Sequence, residues 1–176
     1  MSWYFSVALP TDPAGCDRAA ESLREVARIA RTAADFLDGQ AALPREVFSG
    51  LAAQSYRAAS GALATDCRGT VDDTLALASA LDDYVARISD VRRTLARIRD
   101  DALAADLEVS SADLVHQVPV PRTEQDAVFR RLEAAAAAAH AEAESAYDAW
   151  WQAVQEFTKG PLPSRTGPAQ HQGVDR

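Results

Sequence analysis

The chain has few large apolar side chains. Only 7% of its 176 residues are aromatic, it holds a single methionine, and much of its 48% hydrophobic content is alanine. Alanine lets two helices approach closely but removes little apolar surface from water per residue. The composition therefore predicts helices packed on helices around a modest core, rather than a thick globular domain.

Three further absences exclude broad functional classes. No apolar run approaches the roughly 18 residues that indicate a membrane-spanning helix, so we expect no membrane insertion. A net charge of −8 and a pI of about 4.8 argue against binding to nucleic acid or to anionic membrane surfaces. The apolar first segment, residues 1–11, lacks the basic flank of a secretory signal, so we expect it to belong to the folded protein. A cytoplasmic origin follows, and export would need a route without a cleaved signal peptide.

The sequence also lacks the patterns of catalytic and metal sites. Its three histidines do not have metal-ligand spacing, and its acidic pairs are adjacent helix residues, whose side chains do not face each other. Ser49, beside Gly50, follows no predicted strand and is therefore not a nucleophile elbow. We expect no enzymatic activity, no metal and no cofactor. His140 is predicted to be a solvated helix residue beside Glu144.

Three helices are predicted from apolar residues whose spacing alternates between three and four. Helix 1 covers about residues 12–38, and it ends where Gly39 serves as a cap and Pro44 cannot continue the helix. Its stripe consists of Cys16, Ala19, Leu23, Val26, Ala30, Ala33 and Leu37. Helix 2 covers about residues 48–106, roughly 90 Å at 1.5 Å per residue, so other helices must cover it. Its stripe consists of Ala53, Tyr56, Ser60, Leu63, Cys67, Thr70, Thr74, Leu77, Leu81, Tyr84, Ile88, Val91, Leu95, Ile98 and Ala102.

Helix 3 covers about residues 123–158 and follows a crossing loop over residues 107–122. Pro119 and Pro121 exclude helix in this loop, and valines around them favour an extended chain. The stripe of helix 3 consists of Phe129, Leu132, Ala136, Ala139, Ala143, Ala146, Trp150, Ala153 and Phe157. Residues 159–176 are rich in proline, glycine and glutamine and are predicted to be disordered.

These elements predict an all-α fold. Helices 1 and 2 form an elongated antiparallel hairpin over residues 12–106, with helix 1 on the first half of helix 2. Helix 3 packs on the second half of helix 2. The stripe of helix 2 is small and polar in its first part and large in its second, so we expect the end with helix 3 to be the firmer one.

The connection between helices 1 and 2 carries an aromatic-x-glycine motif, Phe48 and Gly50. We expect Gly50 in the first turn of helix 2, where a missing Cβ lets the two helices come close and Phe48 covers the gap. With Ala52, Ala53 and Tyr56, this segment resembles the turn of the Trp-x-Gly (Esx-like) proteins of type VII secretion, with Phe in place of Trp. The helices around it resemble the N-terminal targeting domains of actinobacterial secreted toxins.

This resemblance implies a non-catalytic helical-bundle complex that the type VII secretion machinery recognises. The chain would be a secreted substrate, a targeting domain or a pairing partner. One alternative is a cytosolic adaptor or chaperone that holds a secreted helical protein or toxin, and another is a structural coiled-coil protein. The family often carries a Tyr-x-x-x-Asp/Glu export signal, which none of the four tyrosines begins here.

Two consecutive tryptophans indicate a candidate partner-binding surface on helix 3. Neighbouring helix residues point about 100° apart, so only Trp150 can lie on the stripe. Trp151 joins Tyr147 and Val154 in a second apolar strip, which is either the edge of a broad core face or a partner-binding strip. Together with other apolar residues off the stripes, it predicts self-association or a heterodimer with another helical hairpin.

Two features leave alternatives open. Cys16 and Cys67 lie on stripes at similar distances from the turn, so antiparallel pairing would bring them face to face and allow a disulfide outside the cell. The alternative is two unrelated buried cysteines. A basic segment of helix 2 either pairs with nearby acidic residues or docks an acidic partner. Its members are Arg87, Arg92, Arg93, Arg97 and Arg99.

Overall fold

The computed structural model describes residues 4–9, 11, 13–117 and 123–159. Three long helices make up most of this part of the chain: α1 (Pro13–Ala41), α2 (Leu51–Ala104) and α3 (Thr123–Lys159). Three short strands accompany them: β1 (Tyr4–Ser6), β2 (Glu108–Val109) and β3 (Leu114–His116). The all-α prediction is confirmed, and the helices begin and end within a few residues of their expected bounds.

Helix α2 is the axis of the molecule. Its 54 residues span about 80 Å, and α1 and α3 are both neighbours of α2 but not of each other. The ion pairs Arg24–Asp82 and Arg68–Asp38 set the antiparallel register of α1, because in both the residue numbers add up to 106. This register places α1 beside α2 as far as about residue 93.

Helix α3 packs on the other end of α2. The ion pair between Arg87 Nε and Glu142 Oε1 (2.7 Å) places α3 beside α2 from about residue 70 to the end of α2. Helix α3 therefore lies on the second half of α2, as expected, whereas α1 lies beside its middle, about residues 65–93, farther from the turn than the expected first half. The two neighbours overlap along roughly residues 70–93, so the middle of α2 is covered from two sides.

Small residues form the seam between α1 and α2. Helix α1 buries Ala20, Ala27 and Ala34, one every seven residues and each at most 2% exposed. Opposite them α2 buries a matching set of mostly small side chains: Ala53, Ser60, Ala64, Val71, Thr74 and Ala78. The seam residues of α1 are seven apart and those of α2 are three, four or seven apart, so each set follows one side of its helix, and alanine on both sides permits the closest approach of the two backbones.

This seam corrects the predicted stripes. In α1 the structure exposes Ala19, Val26 and Ala33, and in the first half of α2 it exposes Tyr56, Leu63 and Thr70. In the predicted stripes, each of these exposed residues lies three positions after another stripe residue. The residues four positions after it are mostly alanine and allow tighter packing. These smaller residues are therefore buried, and the larger side chains lie on the flank. In the second half of α2 the predicted i+3 row is correct, because Leu77, Val91 and Ile98 are buried.

The largest core lies at the end of the molecule that contains α3 and the strands. Phe129, Ile88, Leu95 and Val115 are almost completely buried there. The Phe5 and Phe129 rings pack with their centroids 5.3 Å apart. The strands form an antiparallel sheet in the order β1-β3-β2, with Phe5 opposite Val115 and Val109 opposite Val115 on the other side.

The strands were not predicted, since they are only two or three residues long and β1 pairs with β3 across more than 100 positions in the sequence. Asp106 and Asp113 adopt positive φ (56° and 55°) where the chain turns between α2, β2 and β3. The predicted extended crossing segment is correct for Val115. Val118, Val120 and the predicted disordered tail beyond Lys159 lie outside the described residues.

The alanine seam makes a stability prediction. Ala27→Leu should lower the free energy of unfolding by about 1–3 kcal/mol, because the added carbons force α1 away from α2. The matched control is Val26→Leu, next to it in sequence but 49% exposed, which should change stability by less than about 0.5 kcal/mol. Urea denaturation followed by circular dichroism measures both, and an Ala27→Leu protein as stable as the control would contradict the close seam.

The unequal distribution of core residues predicts unequal opening along α2. Amides of residues 51–63 should exchange with deuterium at least tenfold faster than amides of residues 81–98. The first stretch lies beside the turn, beyond most of α1, and buries only Ala53 and Ser60. The second is covered by α3, the sheet and the large core. Exchange mass spectrometry on the folded protein measures this. Slower exchange near the hairpin turn would show that the seam is the firmer part.

Candidate protein-binding surface

The aromatic-x-glycine motif forms the entry to α2. Gly50 directly precedes α2 and has φ 93° and ψ −178°, a conformation that side chains with a Cβ rarely adopt. A Cβ built on Gly50 would meet no atom within 4 Å. Gly50 is thus required by the backbone conformation, and the expectation that its missing Cβ permits close helix packing is wrong. Gly39, expected as the cap of helix 1, lies within α1 instead.

Phe48 is half-buried and packs edge-on against Tyr56, with ring centroids 5.7 Å apart. The guanidinium of Arg57 lies 5.8 Å from the centre of the Phe48 ring. Its Nη2 donates hydrogen bonds to the carbonyl oxygens of Leu43 (3.0 Å) and Phe48 (2.6 Å). Arg57 therefore closes the connection from α1 to α2, together with Phe48. Of the other motif residues, Ala53 is fully buried and Ala52 is exposed.

Arg57 was not predicted as a site residue. A charged residue does not count in an apolar stripe, although Arg57 lies seven residues before Ala64 and therefore on the same row of α2. That row points at the end of α1 and at the connection after it. The carbonyl oxygens of Leu43 and Phe48 accept hydrogen bonds from the guanidinium of Arg57, whereas those of Pro44 and Gly50 accept backbone N–H groups, so a long donor on this row completes the hydrogen bonding of the connection.

The hairpin of α1 and α2 carries an exposed apolar surface on one side. We call it the hairpin face, and it consists of Val26, Ile29, Phe36, Tyr56 and Leu63, which are 42–65% exposed. The Tyr56 hydroxyl donates a hydrogen bond to Gln40 Oε1 (3.3 Å), and Gln40 lies two heptads after Val26. Since Tyr56 and Leu63 are also seven residues apart, the exposed rows of both helices lie on the same side of the hairpin.

Helix α3 carries the second exposed apolar surface. We call it the α3 strip, and it consists of Tyr147, Trp151 and Val154. Tyr147 and Trp151 are about half exposed, whereas Trp150 is partly buried on the α2 side, as the stripe predicted. Tyr147 lines a cavity of about 430 Å³. The other lining residues come from α2, α3 and the segment that leads into α1: Leu9, Thr11, Tyr84, Ile88, His140, Ala143, Glu144 and Asp148.

The hairpin face and the α3 strip border one groove. The cavity next to Tyr147 opens toward the segment that begins α1, so the α3 strip faces the side of α2 on which α1 lies. Both α1 and α3 are antiparallel to α2, and their registers place Trp151 and Val154 level with Val26 and Ile29. Because α1 and α3 do not pack on each other, an open groove remains between these side chains.

His140 has a structural role that differs from the predicted one. It is half-buried, and its Nε2 lies 3.0 Å from the backbone oxygen of Ser6. This contact ties the end of β1 to α3. The prediction of a solvated histidine beside Glu144 is therefore wrong, because the strand that contributes the contact was not foreseen.

The predicted cysteine pair does not form. Both cysteines are free thiols. The register of α1 on α2 places Cys67 opposite Gly39 and Cys16 opposite Asp90, about 34 Å apart along the axis. A disulfide needs Cα atoms within about 7 Å. The expectation failed because it centred the pairing on Leu43, whereas the ion pairs centre it near residue 53. The connection over residues 42–50 runs along the first turns of α2, where Arg57 contacts it, and this shifts α1 away from the turn.

The basic segment of α2 is used within the chain. Arg87 pairs with Glu142, Arg93 with Asp90 one turn away, and Arg99 with Asp113 at 3.5 Å. Arg92 donates to the carbonyl oxygen of Thr11 at 3.5 Å. These contacts agree with intramolecular pairing rather than with a docking patch for an acidic partner.

In the described part of the chain no three His, Cys, Asp or Glu side chains are grouped to hold a metal ion. None of its helices has the length and apolar character needed to cross a bilayer. The pKa of Glu25 is lowered by a hydrogen bond from Arg28, whose own pKa is raised by the same contact. This pair is fully exposed on α1 and marks no site.

The role of Arg57 can be measured. Arg57→Ala should lower the free energy of unfolding by about 1–3 kcal/mol, since two backbone carbonyls lose a charged donor. Arg68→Ala is the matched control, because it removes an exposed ion pair with Asp38 from the same helix and should cost less than about 1 kcal/mol. Thermal denaturation compares the two, and equal losses would show that Arg57 does not hold the turn.

Comparison with known proteins does not assign the chain to a family: no family model, no curated protein and no solved structure matches it.

Proposed function

We propose that this protein is a non-enzymatic helical-bundle protein that acts by binding another helical protein in a type VII secretion system. It would serve as a secreted substrate, a targeting domain or a pairing partner, present in the cytoplasm before export. The observation that carries the proposal is the groove between the hairpin face and the α3 strip. Large apolar side chains line both walls of this groove and remain about half exposed.

Protein binding is the function that this surface supports best. Val26 lies on the flank of α1 beside the α1–α2 seam, and Tyr147 and Trp151 follow the flank of α3 that borders the same groove. Ile29 and Phe36 lie farther around α1, because two helix positions after a buried alanine correspond to about 200°. A soluble monomer rarely leaves so many neighbouring apolar side chains exposed. Burying one such side chain contributes about 1.5–3 kcal/mol, so a partner on the groove would gain a substantial free energy.

The thin alanine seam gives the same surface a second use. At the turn end, α1 and α2 are held together by small side chains, Arg57 and exposed ion pairs. A partner that contacts both helices there would supply the large apolar contacts that the seam lacks. Binding would therefore also stabilise the hairpin, as expected for a protein that is completed by its partner.

The secretion context rests on the turn. Two heptad helices are joined by a connection with an aromatic residue, Phe48, and a glycine, Gly50, whose conformation excludes most other residues. This arrangement supports a place among Trp-x-Gly proteins. The absence of a strict Tyr-x-x-x-Asp/Glu signal favours the second candidate, a cytosolic adaptor or chaperone that uses the same groove to hold a secreted helical protein or toxin.

Export distinguishes the two candidates. The full chain, with a small epitope tag, is expressed in an actinobacterium that has a type VII system and in the same strain without its secretion ATPase. A secreted substrate should reach the culture filtrate in the first strain and fall at least tenfold in the second. A cytosolic marker and a Sec-dependent protein serve as controls.

The adaptor should stay in the cells of both strains and co-purify with a type VII substrate encoded by the same strain. Retention in the cells without such a substrate, or release that does not depend on the ATPase, would contradict the secretion role.

A further inference from the structure

We infer that the groove between the hairpin face and the α3 strip binds a single amphipathic helix of a different protein, with large apolar residues at alternating spacings of three and four and basic residues along its edges. This inference rests on the proposed function and names the chemistry of the partner. It differs from pairing with a second copy of this chain.

The groove continues an interface that already exists in the fold. Along one row of α2, Leu77, Val91 and Ile98 are buried by α3. The same heptad row continues toward the turn as Thr70, Leu63 and Tyr56, all of them exposed. Helix α3 extends as far as Lys159, which is level with about residue 70 of α2, so it does not cover Leu63 and Tyr56. These two side chains are exposed although they are apolar. A further helix would restore the cover.

Helix α1 provides one wall of the groove along its length. Between Ala19 and Phe36, the flank of α1 repeats at spacings of three and four through Ser22, Val26 and Ile29. These 18 residues correspond to about 27 Å of helix. Near the turn the opposite wall is α2, with Tyr56 and Leu63, and farther along it is the α3 strip. A partner helix of about 20–25 residues matches this length.

The floor of the groove is formed by α2. Beside Tyr147 it is lined by Tyr84 and Ile88, which are larger than the alanines of the α1–α2 seam. Above this floor, Val26 and Trp151 remain about half exposed on the two walls. Leucine-sized or aromatic side chains of a partner helix can pack between them and cover this apolar surface.

The carboxylates beside the groove indicate that its partner is a different protein and not a second copy of this chain. Glu144 and Asp148 line the same cavity as Tyr147, and Asp66 lies one helical turn from Leu63 on the hairpin face. Within the described residues none of the three carboxylates is in an ion pair. The arginines of the hairpin that cross to the neighbouring helix, Arg24 and Arg68, lie on other rows and are paired with Asp82 and Asp38.

A second copy would bring the same acidic edge against itself in a two-fold interface, and like charges across an interface oppose binding. Lysine or arginine on the edges of a partner helix would instead pair with these carboxylates. A chain with a net charge of −8 therefore favours a basic partner at this surface.

Two synthetic peptides test the inference on the full chain. Both have 25 residues, with leucine at the alternating positions, and carry a fluorescent label. One has lysine at the flanking positions and the other has glutamate. Fluorescence anisotropy measures their affinities at low and at moderate salt, and light scattering measures the mass of the protein alone. Circular dichroism verifies that each variant retains its helices.

Five variants locate the binding site. Val26→Ala and Trp151→Ala remove one side chain from each wall of the groove. Leu103→Ala is the matched control, because Leu103 is as exposed as Trp151 but lies near the end of α2 outside the groove. The double variant Glu144→Lys with Asp148→Lys reverses the acidic edge, and the double variant Asp72→Lys with Asp101→Lys, at exposed positions of α2, controls for net charge.

We expect the lysine peptide to bind at least tenfold more tightly than the glutamate peptide, and its affinity to fall with salt. Val26→Ala and Trp151→Ala should each weaken its binding about tenfold, and Leu103→Ala should leave it unchanged. The double charge reversal at Glu144 and Asp148 should exchange the order of the two peptides, whereas the double variant at Asp72 and Asp101 should not.

Equal affinities for both peptides, or equal effects of groove and control variants, would overturn the inference. A dimer in the absence of peptide that is lost on Trp151→Ala would also overturn it, in favour of a second copy. Export can still depend on the secretion ATPase when peptide binding fails, and peptide binding can succeed when export does not depend on the ATPase. Failure of the groove inference is thus distinct from failure of the secretion role.

Discussion

The close approach of α1 and α2 along alanine residues governs the rest of the structure. Ala20, Ala27 and Ala34 recur every seven residues, and each lies against a small side chain of α2. Two helices that meet in this way bury little apolar surface, so the larger side chains of both remain on the flank. The exposed hairpin face is a direct consequence of the tight seam, and it is the surface to which we assign the function.

The two ends of the molecule have different physical characters. At one end Phe129, Leu95 and Val115 form a core of large side chains, closed by a small sheet and by the contact of His140 with Ser6. At the other end the hairpin projects beyond α3 and is closed by Arg57 and the half-buried Phe48. The first end can hold the fold while the second remains available to a partner, a division that suits a binding protein.

A large part of the fold could be predicted from the sequence. The spacing of apolar residues located all three helices to within a few residues of α1, α2 and α3, and it identified the buried stripe of α3 from Phe129 to Ala146. Trp150 was correctly placed on that stripe, with Trp151 outside it. These predictions succeeded because helical periodicity is a local property and because prolines and short connections leave few ways to arrange three long helices.

The tertiary structure alone decided which flank of each helix is buried, and therefore where the candidate site lies. Val26 and Ala27 are neighbours in sequence, and either could belong to a stripe, but only the close fit of α1 on α2 selects alanine. The register set by Arg24–Asp82 and Arg68–Asp38 separated the cysteines, and the pairing of Phe5 with Val115 joined distant segments into a sheet. Such choices depend on complementary surfaces of separate elements, which the local pattern of one helix cannot specify.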